Sequence, residues 1–169
     1  MSLNYKQGDL IKLAQNGAFD VIAHGCNCFC TMESGLAPQM DKAFNCANPK
    51  IFTLEDQKYK GDIDKLGRIE YVKFQDNHGD DLFVVNAYTQ YKYGKYKADG
   101  EDRPLNYQAL SLCLKKINHI FKGKHIGLPK IGAERAGGDW DIIKKIIEST
   151  LVDCDVTIVI FDGNTDNNT

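Results

Sequence analysis

Apolar and polar positions follow two different periods along the chain, and each period predicts one kind of element. Four short stretches are almost wholly apolar or rich in β-branched residues, which favours buried strands: 19–25, 82–88, 125–131 and 155–161. Residues 68–74 alternate imperfectly between apolar and polar side chains, as a strand with one covered face does. Apolar residues recur at steps of three and four in three longer stretches, which predicts helices over 36–44, 104–121 and 140–151.

The expected helix boundaries carry their own signals. Pro104 suits the first turn of the second helix, and Gly123 marks its end. Asp139 precedes Trp140, where an N-cap is expected. Because strands alternate with helices of about ten residues or more, the chain is predicted to fold as a three-layer α/β/α domain with a mixed central sheet.

Length, charge and composition indicate a single domain and argue against duplex-binding and membrane-spanning proteins. The 169 residues fit one domain, which we place at 1–162, with the polar segment 163–169 as a tail outside the core. A net charge of -2 argues against a dedicated duplex-binding protein, so nucleic acid is not an expected partner. The sequence shows neither a membrane-spanning apolar run nor a secretory signal, so we expect a cytoplasmic monomer without a membrane partner.

Two local clusters have alternative interpretations. Cys26, Cys28 and Cys30 would share one face of an extended segment, but the other three cysteines are isolated, so free thiols are expected rather than a metal site. Tyrosines and lysines alternate over residues 91–97. A solvated loop is the simpler interpretation, and a clamp for a single nucleic acid strand is the alternative.

Two loops carry the candidate chemistry. Residues 24–37 and 127–140 each run from the end of a predicted strand, through glycine, to the start of a predicted helix. Backbone N–H groups at such a helix start can hold phosphate oxygens, so two loops suggest a ligand with two phosphates. The alternative is that the glycines only permit tight turns. Neither the GxxxxGK[ST] nor the GxGxxG pattern is present.

Seven segments, taken in order, resemble the macrodomain family of ADP-ribose-binding α/β/α modules. They are 8–10, 24–27, 32–37, 86–90, 106–110, 128–132 and 136–140. The resemblance runs from Tyr5 to Phe161 and is nearest to the branch of ADP-ribose 1″-phosphate phosphatases, relatives of which also occur in bacteriophages. A phage origin would place the protein in the host cytoplasm.

The resemblance implies a role for each matching residue. Asp9 would accept a hydrogen bond from the adenine amino group, beside the backbone of Leu10. Asn27 would contact the distal ribose. Phe161 would face the adenine. The first phosphate loop would comprise Ser34, Gly35, Leu36 and Ala37. The second loop, around the diphosphate and distal ribose, would comprise Ile131, Gly132, Ala133, Glu134, Arg135, Ala136 and Gly137.

The sequence also departs from the family pattern. Glu33 stands where the branch has glycine, which would bring a carboxylate near a diphosphate. Arg135 could bind a terminal phosphate or pair with a neighbouring acid. A branch that cleaves ADP-ribose from glutamate uses an aspartate where Ala136 stands here. His24 stands in place of an asparagine and is either a general base or a core histidine.

The function implied is hydrolysis of an ADP-ribose derivative, with ADP-ribose 1″-phosphate converted to ADP-ribose and phosphate. His24, Asn27 and Arg135 are the candidate catalytic residues. The alternatives are an ADP-ribose-binding module without turnover, or removal of ADP-ribose from modified macromolecules. We expect neither a cofactor nor a metal; the ligand is ADP-ribose or its 1″-phosphate.

Overall fold

A computed structural model describes residues 2–32, 35–47, 61–92, 104–133 and 136–161. Its strands are β1 (Ser2–Gln7), β2 (Val21–Asn27), β3 (Ile69–Gln75), β4 (Asp81–Gln90), β5 (His125–Leu128) and β6 (Asp155–Ile160). Its α-helices are α1 (Leu10–Gln15), α2 (Ala37–Phe44), α3 (Tyr107–Ile120) and α4 (Trp140–Thr150). A short 3₁₀ helix covers Ile63–Lys65.

The strands form one six-stranded mixed sheet in the order β1-β6-β5-β2-β4-β3. Every neighbouring pair is parallel except β3 and β4, which are antiparallel. The carboxyl ends of the five parallel strands therefore lie along a single edge of the sheet, where α/β proteins bind their ligands.

Helices cover the sheet on both faces, which gives the three layers predicted from the sequence. On one face, α3 and α4 pack against alternate residues of the central strands, including Val85, Ile126 and Ile158. On the other face, α1 and α2 pack against Ile22, Leu82 and Val84. Because both faces are covered, the central strands are apolar on both sides.

The structure confirms the predicted strands and helices and adds two elements at the start of the chain. Neither β1 nor α1 was predicted. Two boundaries were also wrong: β5 ends at Leu128, three residues before the predicted end, and Pro104 does not lie in the first turn of α3. The helix starts after Asn106, whose side-chain oxygen accepts a 2.9 Å hydrogen bond from the backbone N–H of Ala109, so Asn106 is the cap. Asp139 caps α4 as predicted.

All six cysteines are free thiols. Among the residues that the structure describes, no three histidine, cysteine or acidic side chains are grouped as a metal site. In the same ranges, no helix combines the length and the apolar character needed to cross a membrane. Of the tyrosine- and lysine-rich segment, only Tyr91 and Lys92 are described; the rest of it and the polar tail lie outside those ranges.

Candidate ligand-binding site

The carboxyl edge of the sheet brings together most of the predicted site. Asp9 follows β1, the first loop follows β2, the second loop follows β5, and Phe161 follows β6. The backbone N–H of Gly8 donates to the carbonyl of Ile160 at 2.9 Å, which ties the turn before Asp9 to the end of β6. Phe161, at 53 % exposure, thus lies beside that turn with its ring accessible.

Asp9 is the N-cap of α1. One carboxylate oxygen accepts a 3.0 Å hydrogen bond from the backbone N–H of Lys12. The other oxygen has no partner within the described ranges. The capping role considered from the sequence is therefore present, and it leaves one acceptor for a ligand amino group. Leu10, the first helical residue, is buried, so its side chain holds the helix start against the core.

Both the oxygen and the nitrogen of the Asn27 side-chain amide make hydrogen bonds inside the first loop. Its oxygen accepts from the backbone N–H groups of Phe29 and Thr31, at 3.0 and 3.3 Å. Its nitrogen donates to the carbonyl and the hydroxyl of Thr31, at 3.2 and 2.7 Å. With 7 % of its surface exposed, Asn27 makes the turn contacts that were one of its two expected roles.

The end of the first loop leaves a helix start open. Ser34 and Glu33 lie outside the described residues, but Gly35 has a left-handed φ of 67° and leads into α2. Leu36, the N-cap of α2, makes no side-chain capping bond. Because the first backbone N–H groups of a helix lack partners within it, the start of α2 at Ala37 is suited to an anion.

The second loop is a closed turn built on glycines. Gly132 and Gly137 have left-handed φ values of 79° and 77°, a region that other residues rarely adopt. The N–H of Gly138 donates to the carbonyl of Gly132 at 2.9 Å, and that of Ala133 donates to Lys130 at 3.1 Å. Ile131 and Ala136 are buried beneath the loop. Glu134 and Arg135 lie outside the described residues.

Leu105, which was not predicted as part of the site, fixes the shape of this loop. A Cβ atom on Gly132 would lie 2.8 Å from its Cδ atoms, and one on Gly138 would also overlap it. Its backbone N–H donates to Ala136 at 3.0 Å, and it forms an isolated bridge with Gln90 of β4. In the sequence, the signal for this packing is the pair Gly132 and Gly138, and glycines alone do not identify the side chain that packs against them.

His24 is buried, with 2 % of its surface exposed, and faces away from the second loop. Its Nε2 lies 2.7 Å from the side-chain oxygen of Asn86, whose nitrogen donates to the carbonyl of Cys46 at 2.9 Å. The second bond fixes the amide orientation, so Nε2 of His24 carries the proton and donates. Burial lowers the pKa of His24 to about 4, although the hydrogen bond that His24 donates to Asn86 opposes the shift.

The cysteines beside this network are not nucleophiles. Cys26 and Cys28 pack with Tyr88 in a small cluster of their own. Burial raises the pKa of Cys26 well above its usual value and raises that of Cys28 and Cys46 to about 12. These thiols are therefore protonated at neutral pH, and only a thiolate attacks or binds a metal.

Comparisons with known proteins agree on the fold. No family model matches the chain. The chain is 36 % identical over 165 residues to an uncharacterized 17.5 kDa protein from the tk-vs intergenic region of Enterobacteria phage T4, covering 94 % of this chain and 96 % of that protein. A Bacteroides thetaiotaomicron protein of known structure has a TM-score of 0.71 and 24 % identity, with 94 % and 99 % of the two chains covered.

Two solved macrodomain proteins are also similar in structure. The macrodomain of Thermus aquaticus DarG has a TM-score of 0.60 at 18 % identity, with 95 % of this chain and 97 % of that one covered. Thermosipho africanus DarTG, solved in complex with ADP-ribose, has a TM-score of 0.62 at 15 % identity, with 93 % and 41 % covered. The protein therefore belongs to the family of the phage T4 17.5 kDa protein, and its fold is that of the macrodomains.

Proposed function

We propose that this protein binds ADP-ribose along the carboxyl edge of its sheet. The observation that carries the proposal is the meeting, at that one edge, of Asp9, the uncapped start of α2 and the glycine-bearing second loop. The complex of Thermosipho africanus DarTG with ADP-ribose supports it, since 41 % of that chain matches this fold.

Two parts of ADP-ribose, the adenine and the diphosphate, have matching groups on this edge. The second carboxylate oxygen of Asp9 would accept a hydrogen bond from the adenine amino group, because an ionised carboxylate can accept hydrogen bonds but cannot donate them. The exposed ring of Phe161 would lie against the adenine. The N–H groups at Gly35, Leu36 and Ala37, together with those of the second loop, would hold the diphosphate.

We further propose that the bound derivative is ADP-ribose 1″-phosphate, and that the protein hydrolyses it. Water would add to phosphorus, and the bond between phosphorus and O1″ would break, releasing ADP-ribose and inorganic phosphate. Arg135 and the loop amides would stabilise the charge on the phosphate. The resemblance of the whole motif set to the phosphatase branch supports this finer proposal.

The contacts of His24 limit how it could act in catalysis. Its Nε2 proton is donated to Asn86, so Nδ1, which lies 3.9 Å from Sγ of Cys26, would have to act as the base. With a pKa of about 4, the ring is neutral and ready to accept a proton at pH 7. If His24 is the base, the turnover rate should rise with an inflection near pH 4 rather than near 6–7, and His24→Ala should lower turnover about 10²–10⁴-fold.

A second candidate function is ADP-ribose binding without turnover. It is favoured by the bonds of His24 and Asn27, both of which are engaged inside the protein. Removal of ADP-ribose from modified macromolecules is a further alternative at the same site. In each case we propose a cytoplasmic monomer with neither nucleic acid nor membrane as partner.

One pair of measurements tests these functions. Calorimetry with ADP-ribose should show binding, and incubation with ADP-ribose 1″-phosphate should release phosphate above a heat-inactivated control. Arg135→Ala should weaken binding of the 1″-phosphate more than binding of ADP-ribose. Binding without phosphate release would support the binding module instead. Absence of ADP-ribose binding would refute both functions.

A further inference from the structure

Thr89, near the carboxyl end of β4, holds a buried hydroxyl group that nothing in the described protein satisfies. The residue is 1 % exposed, and its Oγ1 makes no hydrogen bond. Its backbone is fixed, because its carbonyl oxygen accepts a 2.9 Å bond from the N–H of Asn106. A buried polar atom without a partner lowers stability, and a valine of the same shape would avoid that cost.

Gly25 on the neighbouring strand β2 makes room for this hydroxyl. Its φ is not positive, so the backbone conformation does not require glycine. A Cβ at this position would lie 2.9 Å from Oγ1 of Thr89 and 3.5 Å from Cγ1 of Ile131. The space that glycine leaves is thus filled by the hydroxyl. A strand-interior glycine and an unpaired hydroxyl, each unfavourable alone, are matched to each other.

The position of this pair connects it to the site. Gly25 lies two residues before the end of β2, from which the first loop runs. Ile131 opens the second loop and flanks the same space. Thr89 itself lies one residue before the end of β4. The hydroxyl therefore lies at the carboxyl edge, between the starts of the two loops proposed to hold the ligand.

We propose that Thr89 contacts bound ADP-ribose, through an oxygen of the distal ribose or of the diphosphate held between the two loops. This inference rests on the proposed binding of ADP-ribose. A hydroxyl can donate to either oxygen, and it can also accept from a ribose hydroxyl. Because Thr89 is covered in the free protein, the atoms around its hydroxyl must shift for the contact to form.

The test compares Thr89→Val with Thr89→Ser. Valine keeps the branched shape and removes the hydroxyl, whereas serine keeps the hydroxyl and removes a methyl group. We expect Thr89→Val to weaken ADP-ribose binding about 2- to 12-fold in calorimetry, the equivalent of one net hydrogen bond, and Thr89→Ser to keep most of the affinity. The melting temperature of the valine variant should stay unchanged or rise, since the unpaired hydroxyl is gone.

The same titration with ADP, which lacks the distal ribose, identifies the contacted oxygen. If Thr89→Val weakens the binding of ADP-ribose but not of ADP, the contacted oxygen belongs to the distal ribose. If it weakens the binding of both ligands equally, the contacted oxygen belongs to the diphosphate. If wild type binds ADP-ribose and the valine variant binds equally well, the Thr89 contact is refuted while the proposed function stands. If wild type does not bind ADP-ribose, the proposed function itself fails.

Discussion

At the scale of single residues, several side chains already have a structural task at the place where a ligand role was expected. Asn27 closes its own loop, and His24 donates to Asn86. The sequence identified both residues but could not choose between their two roles. The partner of His24, Asn86, lies 62 residues away and is itself held by the carbonyl of Cys46. Asp9 differs, since capping uses only one of its oxygens.

Two variants of Asp9 separate capping from ligand binding. Asparagine also caps helices well, so Asp9→Asn should leave the melting temperature nearly unchanged while weakening ADP-ribose binding by about 1.5–3 kcal/mol through loss of the carboxylate. Asp9→Ala should lose the same affinity and, in addition, about 1 kcal/mol of stability with the cap. Calorimetry and thermal melts distinguish these effects. Full affinity in Asp9→Asn would refute adenine recognition by this carboxylate.

The burial of His24 predicts a pH-dependent stability. Its pKa falls from the usual 6.5 to about 4 on folding, so between those values the unfolded chain binds a proton that the folded chain does not. Stability from this residue is complete above pH 6.5 and is lost as the pH falls towards 4, by about 3 kcal/mol. Urea unfolding across this range should show the loss, and His24→Gln should reduce it. An equal slope in both proteins would contradict the prediction.

At the scale of elements, the sequence pattern predicted those strands and helices whose buried residues recur at a regular spacing. Strand β4 and helix α4 were found because their apolar residues repeat with a clear period. Strand β1 was missed because it is an edge strand whose only half-buried residue is Leu3. Helix α1 was missed because six residues make too few turns for a period to show. The second loop was located, but its shape depends on Leu105, about 30 residues earlier.

Leu105 should therefore affect ligand binding as well as stability. Leu105→Ala removes the side chain against which Gly132 and Gly138 pack, so we expect a loss of stability of about 2–5 kcal/mol and at least a tenfold weaker binding of ADP-ribose. Leu114→Ala is the matched control, because this leucine is equally buried on α3. It should lose similar stability and keep its affinity, measured well below both melting temperatures. Equal affinities in the two variants would show that Leu105 only fills the core.

At the scale of the whole molecule, the first and last strands form one side of the site. Among the strands that the structure describes, β1 pairs with β6 alone, in register from Ser2 with Asp155 to Gln7 with Ile160. This pairing places the turn at Asp9 beside Phe161. The adenine end of the proposed site thus depends on two segments that are about 150 residues apart in sequence.

Two deletions of similar length test this dependence. Removing residues 2–7 takes away β1 and exposes the edge of β6, so we expect a lower melting temperature and loss of ADP-ribose binding. Removing the polar segment 163–169 should change neither quantity. Circular dichroism melts and calorimetry measure both. A protein without β1 that binds ADP-ribose at full affinity would show that the Asp9 turn is held by other contacts.

The pairing of β1 with β6 also sets the order of events during synthesis. A ribosome releases β1 first, yet its partner among the described strands is β6, the last of these to emerge. Until residue 160 is made, β1 lacks that partner, and β5 lacks its neighbour on the same side. Contacts of such sequence separation slow folding. If ADP-ribose binds at the proposed site, it would therefore stabilise only chains translated through β6, because the Asp9 turn is tied to the end of that strand.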